Sequence, residues 1–347
     1  MTDVATLPRS MRAVVHRAPG EVEVAEIDLP QLGEHDVAAK VAYCGVCGTD
    51  LHLVFNHGGW GAPGSVYGHE WSGEVVATGD AVTRFAPGDR VVGGERTCGH
   101  CRYCRGASPS LCENQVIPSG PVYGAFAEYV VQHEEALVPV GGDLPLRVAA
   151  LAEPLAVSLH AVTRSNVSAG DRVLVTGGGP IGLLTACALR ARGLEDVVVS
   201  EPAPARRAKL RSLSLETVEP AELPVPGHLL HVVPGAFDAV IECSGTVAAT
   251  TQGIGVLRSG GRLVIVGSNF GTVPLDPMRV LVQEIELTGA RQYDPAGLAT
   301  ALEILADPAF PSTGILEADD TPFEGFRPLV HAMVAGEIAG KPLVVSA

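Results

Sequence analysis

Two groups of metal-binding residue types stand out in this chain, and the denser one is a run of cysteines. Cys98, Cys101, Cys104 and Cys112 lie within fifteen residues, in the spacing Cys-x2-Cys-x2-Cys-x7-Cys. A metal cage, a disulfide knot and a redox or nucleophile centre all use such clusters. The start of the chain has no basic segment followed by an apolar one, so we expect a cytoplasmic, reducing location. Clustered cysteines there are more often metal ligands than disulfides.

The second group is sparser and chemically more varied. Cys47, His69 and Glu70 come from the segments YCGVCGTDLH and YGHEWSG of one β-rich region. A thiolate, an imidazole and a carboxylate are the ligands expected of an open, catalytic zinc site rather than a closed structural one. Glu153, in LAEPLAV, offers another carboxylate from a distant segment. The alternatives are a redox pair of Cys44 with Cys47 and a structural role for His69.

A glycine-rich turn, in VLVTGGGPIG, joins an apolar strand pattern to a helix pattern. Gly177, Gly179 and Gly182 have the G-x-G-x-x-G spacing that lets a pyrophosphate approach the backbone at a helix N-terminus. Glu201 follows Gly182 by 19 residues, where a carboxylate can accept hydrogen bonds from ribose hydroxyls. This acid favours NAD over NADP, since it would repel a 2′-phosphate, although the arginines at 206–207 could still contact one. A purely structural loop is the alternative.

The two parts of the chain that must hold these residues have different patterns. The first 150 residues contain short alternating and β-branched runs, such as RAVVHR and EVEVAEI, which predict an irregular barrel. After Glu153, apolar strand patterns alternate with helix patterns, which predicts a parallel, doubly wound sheet and an α/β fold class. From about Arg291 onward a helix pattern and a terminal strand, GKPLVVSA, follow.

The composition fits a two-domain globular protein and argues against some partners. A chain of 347 residues, 46% hydrophobic and 18% charged, is long enough for two cores. The net charge of −15 argues against nucleic acid, whose binding needs concentrated Lys and Arg. Gly, Pro or charged residues interrupt the apolar stretches before about 18 residues, so we expect no membrane-spanning helix and no membrane partner.

Taken together, the motifs resemble those of the zinc-dependent medium-chain dehydrogenases, the alcohol and polyol dehydrogenase family. The matching segments are CGVCGTDLH, GHEWSG, FAPGDRV, CGHCRYCRGASPSLC, ALAEPLAVSLHA and GGGPIG, in the family's order. The resemblance implies a GroES-like β-barrel catalytic domain, residues 1–155 and 292–347, with a Rossmann domain, residues 156–291, inserted in it. It also implies a homodimer or homotetramer, commonly paired through the edge of the Rossmann sheet.

The resemblance assigns roles to individual residues. Cys47, His69 and Glu70 match the ligands of a catalytic zinc, and Glu153 matches a position whose glutamate either binds zinc directly or holds its water. A second, structural zinc would be held by Cys98, Cys101, Cys104 and Cys112. The residues expected to bind the nicotinamide cofactor are Gly177, Gly179, Pro180, Ile181, Gly182, Glu201, Arg206, Ser244, Val266, Gly267 and Arg291.

The implied activity is hydride transfer between a small-molecule secondary alcohol, diol or polyol, or the matching ketone, and a nicotinamide cofactor, NAD being favoured over NADP. Thr49 and His52 match the family's proton relay, in which the hydroxyl proton passes from Thr49 outward through His52. Carboxylate ligands make zinc a harder ion, which favours oxygen-rich substrates. An NADPH-dependent carbonyl reductase and a non-catalytic zinc or nucleotide-binding scaffold are the alternative functions.

Overall fold

The computed structural model describes residues 7–59, 61–106, 108–114, 124–228, 231–268, 271–294 and 296–346. The strands are β1 (Ser10–Ala18), β2 (Glu21–Asp28), β3 (Asp36–Gly45), β4 (Glu70–Thr78), β5 (Arg90–Gly93), β6 (Tyr129–His133), β7 (Leu137–Pro139), β8 (Val173–Thr176), β9 (Val197–Ser200), β10 (Glu216–Val218), β11 (Phe237–Glu242), β12 (Leu257–Ile265), β13 (Glu286–Gly289), β14 (Thr321–Pro322) and β15 (Leu343–Val345). The α-helices are α1 (Gly48–Val54), α2 (Arg102–Arg105), α3 (Leu146–Ala149), α4 (Ala152–Ser165), α5 (Pro180–Ala191), α6 (Pro204–Ser212), α7 (Val247–Val256), α8 (Pro277–Gln283), α9 (Gly297–Ala306), α10 (Ser312–Ile315) and α11 (Phe326–Val334).

A largely antiparallel sheet organises the N-terminal part of the chain together with its C-terminal strands. Its order is β14-β15-β3-β4-β5-β7, with β6 also pairing with β3, while β1 and β2 form a separate hairpin. In the register of this sheet, Gly45 at the end of β3 pairs with Glu70 of β4 and with Leu343 of β15. The ends of three strands from distant parts of the chain therefore meet at one place.

The second sheet has six parallel strands in the order β10-β9-β8-β11-β12-β13. This is the order of a doubly wound dinucleotide-binding sheet, in which the first strand lies centrally and the chain reverses direction beside it. The reversal falls between β8 and β11, and the loops after these two strands form a crevice at their carboxyl ends. Apolar strand residues such as Leu174, Val240 and Leu263 are fully buried, as the apolar strand pattern predicts.

Helix α4 connects the two sheets. Its apolar residues share one hydrophobic core with the parallel strands and with α9, in which Leu298, Ala301 and Leu305 are buried. Helix α9 lies beyond the predicted boundary at residue 292, yet it packs with the parallel-sheet side of the protein. The division into residues 1–155 with 292–347 and residues 156–291 stays a proposal.

One stretch is long and apolar enough to cross a membrane by length and composition, residues Leu146–Ser165, with a mean hydropathy of 1.2. The sequence interpretation expected no such stretch. In the structure 72% of it is buried inside the protein, as in the core helix of a globular fold. Its apolar side chains are therefore used in packing between the sheets.

Candidate active site

Cys47 lies at the start of the short helix α1, which fixes the direction of its thiol. The Cys47 sulfur accepts a hydrogen bond from the Thr49 N–H at 3.4 Å, and Asp50 Oδ2 accepts one from the Cys47 N–H at 2.8 Å. This reciprocal capping satisfies two backbone donors at the helix start. The local backbone therefore holds the thiol in one orientation.

His69 and Glu70 complete a cluster with Cys47 at the meeting point of β3 and β4. One potential ligand atom from each residue lies within 4.8 Å of the other two. Thiolate, imidazole and carboxylate form a donor set that zinc uses, and three protein ligands leave a fourth position for solvent or substrate. The residues present therefore fit a zinc ion.

Asp50 is a buried carboxylate beside this cluster that the sequence interpretation missed. Its Oδ1 atom lies 3.6 Å from His69 Nδ1. Burial lowers the pKa of His69, but Asp50 and the Cys47 thiol raise it more, so the net value is well above the ordinary one. A carboxylate behind a metal-binding imidazole fixes the orientation and tautomer of the ring. Asp50 therefore leaves the other ring nitrogen of His69 available for a metal.

Lys341 is a second residue that the sequence interpretation missed. It is 1% exposed, forms an ion pair with Glu70 and donates a hydrogen bond to the Val46 carbonyl at 2.9 Å. Burial lowers the pKa of Lys341, but the neighbouring Glu70 and Cys47 raise it above its ordinary value. The Glu70 carboxylate thus has a buried cationic partner supplied by the residue two positions before β15.

Glu153, in the first turn of α4, is buried beside the cluster but is not one of the three residues whose ligand atoms lie together. The net pKa of Glu153 is raised to about 8, chiefly by burial; the neighbouring His69 lowers it and Glu70 raises it. Of the two roles predicted for Glu153, this position outside the cluster favours holding a solvent or substrate oxygen.

The two residues predicted for proton relay, Thr49 and His52, are three residues apart on α1, a spacing that places them on one face of a helix. Thr49 Oγ1 lies 3.6 Å from the Cys47 sulfur. Burial and the neighbouring His57 lower the pKa of His52, while a hydrogen bond with the Ser268 backbone raises it, and the net value is below the ordinary one. Because Ser268 follows β12 of the parallel sheet, His52 faces the crevice between the two sheets.

The four-cysteine segment folds around its own sulfur atoms. Cys98 Sγ and Cys101 Sγ lie 3.8 and 3.5 Å from Cys104 Sγ, and the Cys98 N–H donates to Cys112 Sγ at 3.2 Å. Four sulfurs placed about 2.3 Å from one zinc ion would be about 3.8 Å apart, so the spacing fits a closed tetrahedral site. All eight cysteines are free thiols, and hydrogen bonding, led by the His100 backbone, lowers the pKa of Cys98 to about 5.

The glycine turn lies between β8 and α5, where the sequence pattern predicts it. Gly177 has a positive φ of 93°, and a Cβ atom there would lie 2.8 Å from Ser244. A Cβ on Gly182 would lie 1.7 Å from the Gly177 carbonyl oxygen, so only glycine lets α5 pack this closely on the turn. The turn therefore needs these glycines for its own packing as well as for an approaching phosphate.

A cavity of about 440 Å³ joins the glycine turn to the metal-binding cluster. Its lining includes Cys47 and Lys341 from one side and, from the other, Gly177, Gly179, Pro180, Ile181, Glu201, Arg206 and Ser244. Seven of the residues predicted to bind the cofactor thus lie around one space, within reach of the candidate zinc ligand Cys47. A larger, more open groove of about 990 Å³, lined by Arg84 and Phe310 among others, contains none of the predicted site residues.

Glu201 and Arg207 also stabilise the backbone around the glycine turn and the end of β9, a role that the sequence does not indicate. The Glu201 carboxylate accepts hydrogen bonds from the N–H groups of Gly178 and Ala203, at 2.6 and 2.8 Å. Arg207 donates hydrogen bonds to the carbonyls of Glu201 and Pro202 and forms an ion pair with Glu219. Its guanidinium is therefore already bonded to protein groups.

The structure places the four other predicted cofactor residues away from the lining of this cavity. Gly182 lies beneath the turn against the Gly177 carbonyl, Val266 packs against the hydrophobic core, and a Cβ on Gly267 would be 2.2 Å from the Gly245 nitrogen. Arg291 donates a hydrogen bond to the Ser110 carbonyl at 3.3 Å, so its side chain contacts the cysteine segment rather than the cavity.

Comparison with known proteins agrees with this arrangement over both parts of the chain. Residues 33–142 match the alcohol dehydrogenase GroES-like domain, and residues 180–307 match the zinc-binding dehydrogenase domain. The sorbitol dehydrogenase of Halalkalibacterium halodurans is 33% identical over 336 residues, covering 94% of this chain and 97% of the relative. An L-threonine 3-dehydrogenase of a Chelativorans species is 34% identical over 288 residues, covering 80% and 83%.

A solved structure is also similar over nearly the whole length. The crystal structure of a zinc-binding dehydrogenase from Sinorhizobium meliloti bound to NADP has a TM-score of 0.85 at 30% identity, covering 97% of this chain and 100% of that one. These matches confirm the α/β fold class, with a GroES-like part and a Rossmann-like part, and the family resemblance. The chain belongs to the zinc-dependent medium-chain alcohol dehydrogenase family, whose members are oxidoreductases acting on CH–OH groups.

Proposed function

We propose that this enzyme transfers a hydride between a secondary alcohol, diol or polyol and NAD, with zinc held by Cys47, His69 and Glu70. The observation that supports this most directly is the shared cavity of about 440 Å³, which Cys47 and the glycine turn both line. A substrate oxygen beside the cluster and a nicotinamide held by the turn would then be neighbours.

The chain's own residues would bind, orient and deprotonate the substrate. Zinc bound at the cluster would supply Lewis-acid chemistry that lowers the pKa of the substrate hydroxyl, and the nicotinamide would accept the hydride. Thr49, whose Oγ1 lies 3.6 Å from the Cys47 sulfur, would accept the hydroxyl proton, and His52 would carry it outward. Glu153 would hold a substrate or solvent oxygen beside the cluster. The cysteine segment would hold a second, structural zinc ion.

We propose NAD as the preferred cofactor because of the charges at the end of β9. Glu201 lines the cavity, and its carboxylate would repel a 2′-phosphate on a ribose bound there. Arg207, one of the two cations that could offset it, is held by carbonyls and by Glu219. The Arg206 guanidinium would lie 3.8 Å from a Cβ added to Gly179, so it lies next to the glycine turn, where it would contact the pyrophosphate of the cofactor. The second candidate, an NADPH-dependent carbonyl reductase, is favoured by the NADP bound in the Sinorhizobium relative.

The proposed substrate class has a second polar group beside the reacting hydroxyl. A cluster with one carboxylate ligand and a further carboxyl group beside it suits an oxygen-rich substrate. Sorbitol and threonine, which the relatives' names give, both carry such a neighbouring group. We therefore favour polyols and vicinal diols, with amino alcohols next.

We also propose a homodimer or homotetramer in the cytoplasm. The edge strand β13 has a free side in the described residues, and the apolar side chains of Met278 and Leu281 on α8 are 50% and 67% exposed. Unpaired strand edges and grouped apolar side chains are usual where a second subunit binds. The reducing location is the one in which the cysteine segment keeps its thiolates.

The proposed function is tested by a substrate panel with purified, zinc-loaded enzyme. Polyols, vicinal diols, amino alcohols and simple secondary alcohols are offered with NAD and with NADP, and the absorbance of the reduced cofactor is followed. We expect the highest kcat/KM for a polyol or diol with NAD. A preference for NADP would support the carbonyl reductase instead, and no turnover of any alcohol or ketone would contradict both.

A further inference from the structure

A pair of histidines extends from the candidate active site to the surface. His52 Nδ1 lies 3.1 Å from His57 Nδ1, which is hydrogen-bonding distance, and the ring centroids are 5.3 Å apart. Two Nδ1 atoms can bond only when one ring carries the proton there and the other does not. The pair therefore shares a single proton along this contact.

Exposure increases outward along this part of the chain. Thr49 and His52 are half-buried, while His57, in the short 3-10 turn His57–Gly59, is exposed. The hydrogen bond of His52 with the Ser268 backbone keeps His52 at the crevice between the sheets. His52 consequently has the crevice on one side and a solvent-exposed imidazole on the other.

We propose that His57 takes the proton from His52 and releases it to water, and so forms the outer end of the proton path of this enzyme. The inference rests on the proposed function, because it takes alcohol oxidation as the source of the proton. It gives His57 a positioned role in proton transfer that the family resemblance does not assign.

The proton moves along this path in successive transfers, and each group gives up one proton for the one that it receives. The substrate hydroxyl gives its proton to Thr49 Oγ1 as the Thr49 hydroxyl gives up its own, and that proton passes through the crevice to the inner nitrogen, Nε2, of His52. His52 then gives its Nδ1 proton to Nδ1 of His57, and His57 releases its Nε2 proton to water. The hydride leaves separately to the nicotinamide, and both histidines return to the neutral state after tautomer exchange.

The charges around the pair favour movement outward. Burial lowers the pKa of His52, and His57 lowers it further, while the Ser268 backbone raises it. A protonated His52 is thus disfavoured next to an exposed imidazole that water can stabilise. Another titratable group on this side is His331 of α11, which packs edge-on against Phe55, whose ring in turn stacks on His57.

The test compares H57Q with H331Q, a matched substitution of the nearby histidine that lies behind Phe55. With zinc-loaded enzyme, NAD and the best alcohol in weak buffer, a stopped-flow instrument follows cofactor reduction and, with a pH indicator, proton release. In H57Q we expect proton release to slow by about tenfold, less than the roughly 10²–10⁴-fold effect of a general acid or base that acts alone, because His52 retains some exposure of its own. Added imidazole should restore the rate in H57Q and leave wild type and H331Q unchanged. Proton release in H57Q equal to that in H331Q, without an imidazole effect, would overturn the proposal.

A second measurement needs neither metal nor cofactor. NMR titration of the imidazole resonances gives the pKa of His52 in wild type, H57Q and H331Q. Loss of the His57 charge should raise the His52 pKa in H57Q alone. An unchanged titration of His52 in H57Q would show that the two rings are uncoupled and would also overturn the proposal. If the substrate panel shows no turnover, the proposed function fails, while this titration still reports whether the pair exists.

Discussion

The buried ion pair between Lys341 and Glu70 should carry a measurable part of the stability of the metal-free protein. Both side chains are at most 1% exposed, and Lys341 also donates to the Val46 carbonyl. Two opposite charges about 4 Å apart attract by about 4 kcal/mol at an effective dielectric constant of about 20. Removing one partner leaves the other charge buried and unpaired, which costs about 3–5 kcal/mol. We therefore expect K341M to lower the free energy of unfolding by about 4 kcal/mol.

The assay is urea unfolding of metal-stripped protein, followed by tryptophan fluorescence. The control is R17M, which removes the ion pair between Arg17 and Glu23. These two side chains are 45% and 56% exposed, so the loss of their ion pair should lower the free energy of unfolding by no more than about 1 kcal/mol. The double variant K341M/E70Q should regain most of the loss, because no buried charge then remains unpaired. A K341M protein as stable as R17M would refute this reasoning.

Zinc binding should raise the free energy of unfolding of K341M more than that of wild type. A bound cation can replace Lys341 as the counter-charge of Glu70, so zinc should stabilise K341M by more than it stabilises wild type. Equal stabilisation of the two proteins would mean that Glu70 is not a zinc ligand.

Three further predictions concern the cysteine segment, an acidic group and the subunit contact. C104S should lose one zinc ion per chain and should melt at a lower temperature than wild type, while its kcat at temperatures where it is folded stays the same. An unaltered zinc content by mass spectrometry would contradict this. Bonds from the Thr83 N–H, and then the Arg84 N–H, lower the pKa of Glu134 despite its burial, so its folded-state value is below the unfolded one. Its stabilisation is therefore present above the unfolded pKa and is lost as the pH falls through the folded one. E134Q should melt below wild type at neutral pH, and the gap should close on acidification; a gap independent of pH would be evidence against this. L281E on α8 should dissociate the oligomer in analytical ultracentrifugation, whereas V334E, with a side chain 61% exposed on α11, should not; equal effects would rule out α8 as the contact.

The sequence predicts those parts of the site that depend on local patterns. Cys47 and the pair His69 and Glu70 lie within short motifs at the ends of adjacent strands, and the register of β3 with β4 brings them together. The G-x-G-x-x-G turn is likewise local, because its glycines are required by contacts within the turn itself. Residue types and spacing were therefore enough to identify these groups.

Residues that depend on pairing between distant segments were not predictable. Lys341 reaches the site because β15 pairs with β3, and it bonds to Val46 across a separation of 295 residues. No local pattern distinguishes this lysine from a surface one. Arg291 illustrates the opposite case, since its side chain turned toward Ser110 of the cysteine segment rather than the cofactor cavity. The direction of a long side chain depends on neighbours that sequence spacing does not reveal.

The most direct test of the proposed catalytic centre is the zinc content and turnover of C47S beside the matched variant C44S. Cys44 is buried three residues earlier and lies outside the metal-binding cluster. Replacing groups that merely support metal ligands costs about 10–100-fold, so loss of a ligand should cost more than about a hundredfold in turnover. We predict that C47S loses one zinc ion per chain and this much activity, whereas C44S keeps both. Wild-type turnover and zinc content in C47S would contradict a catalytic zinc at Cys47, His69 and Glu70.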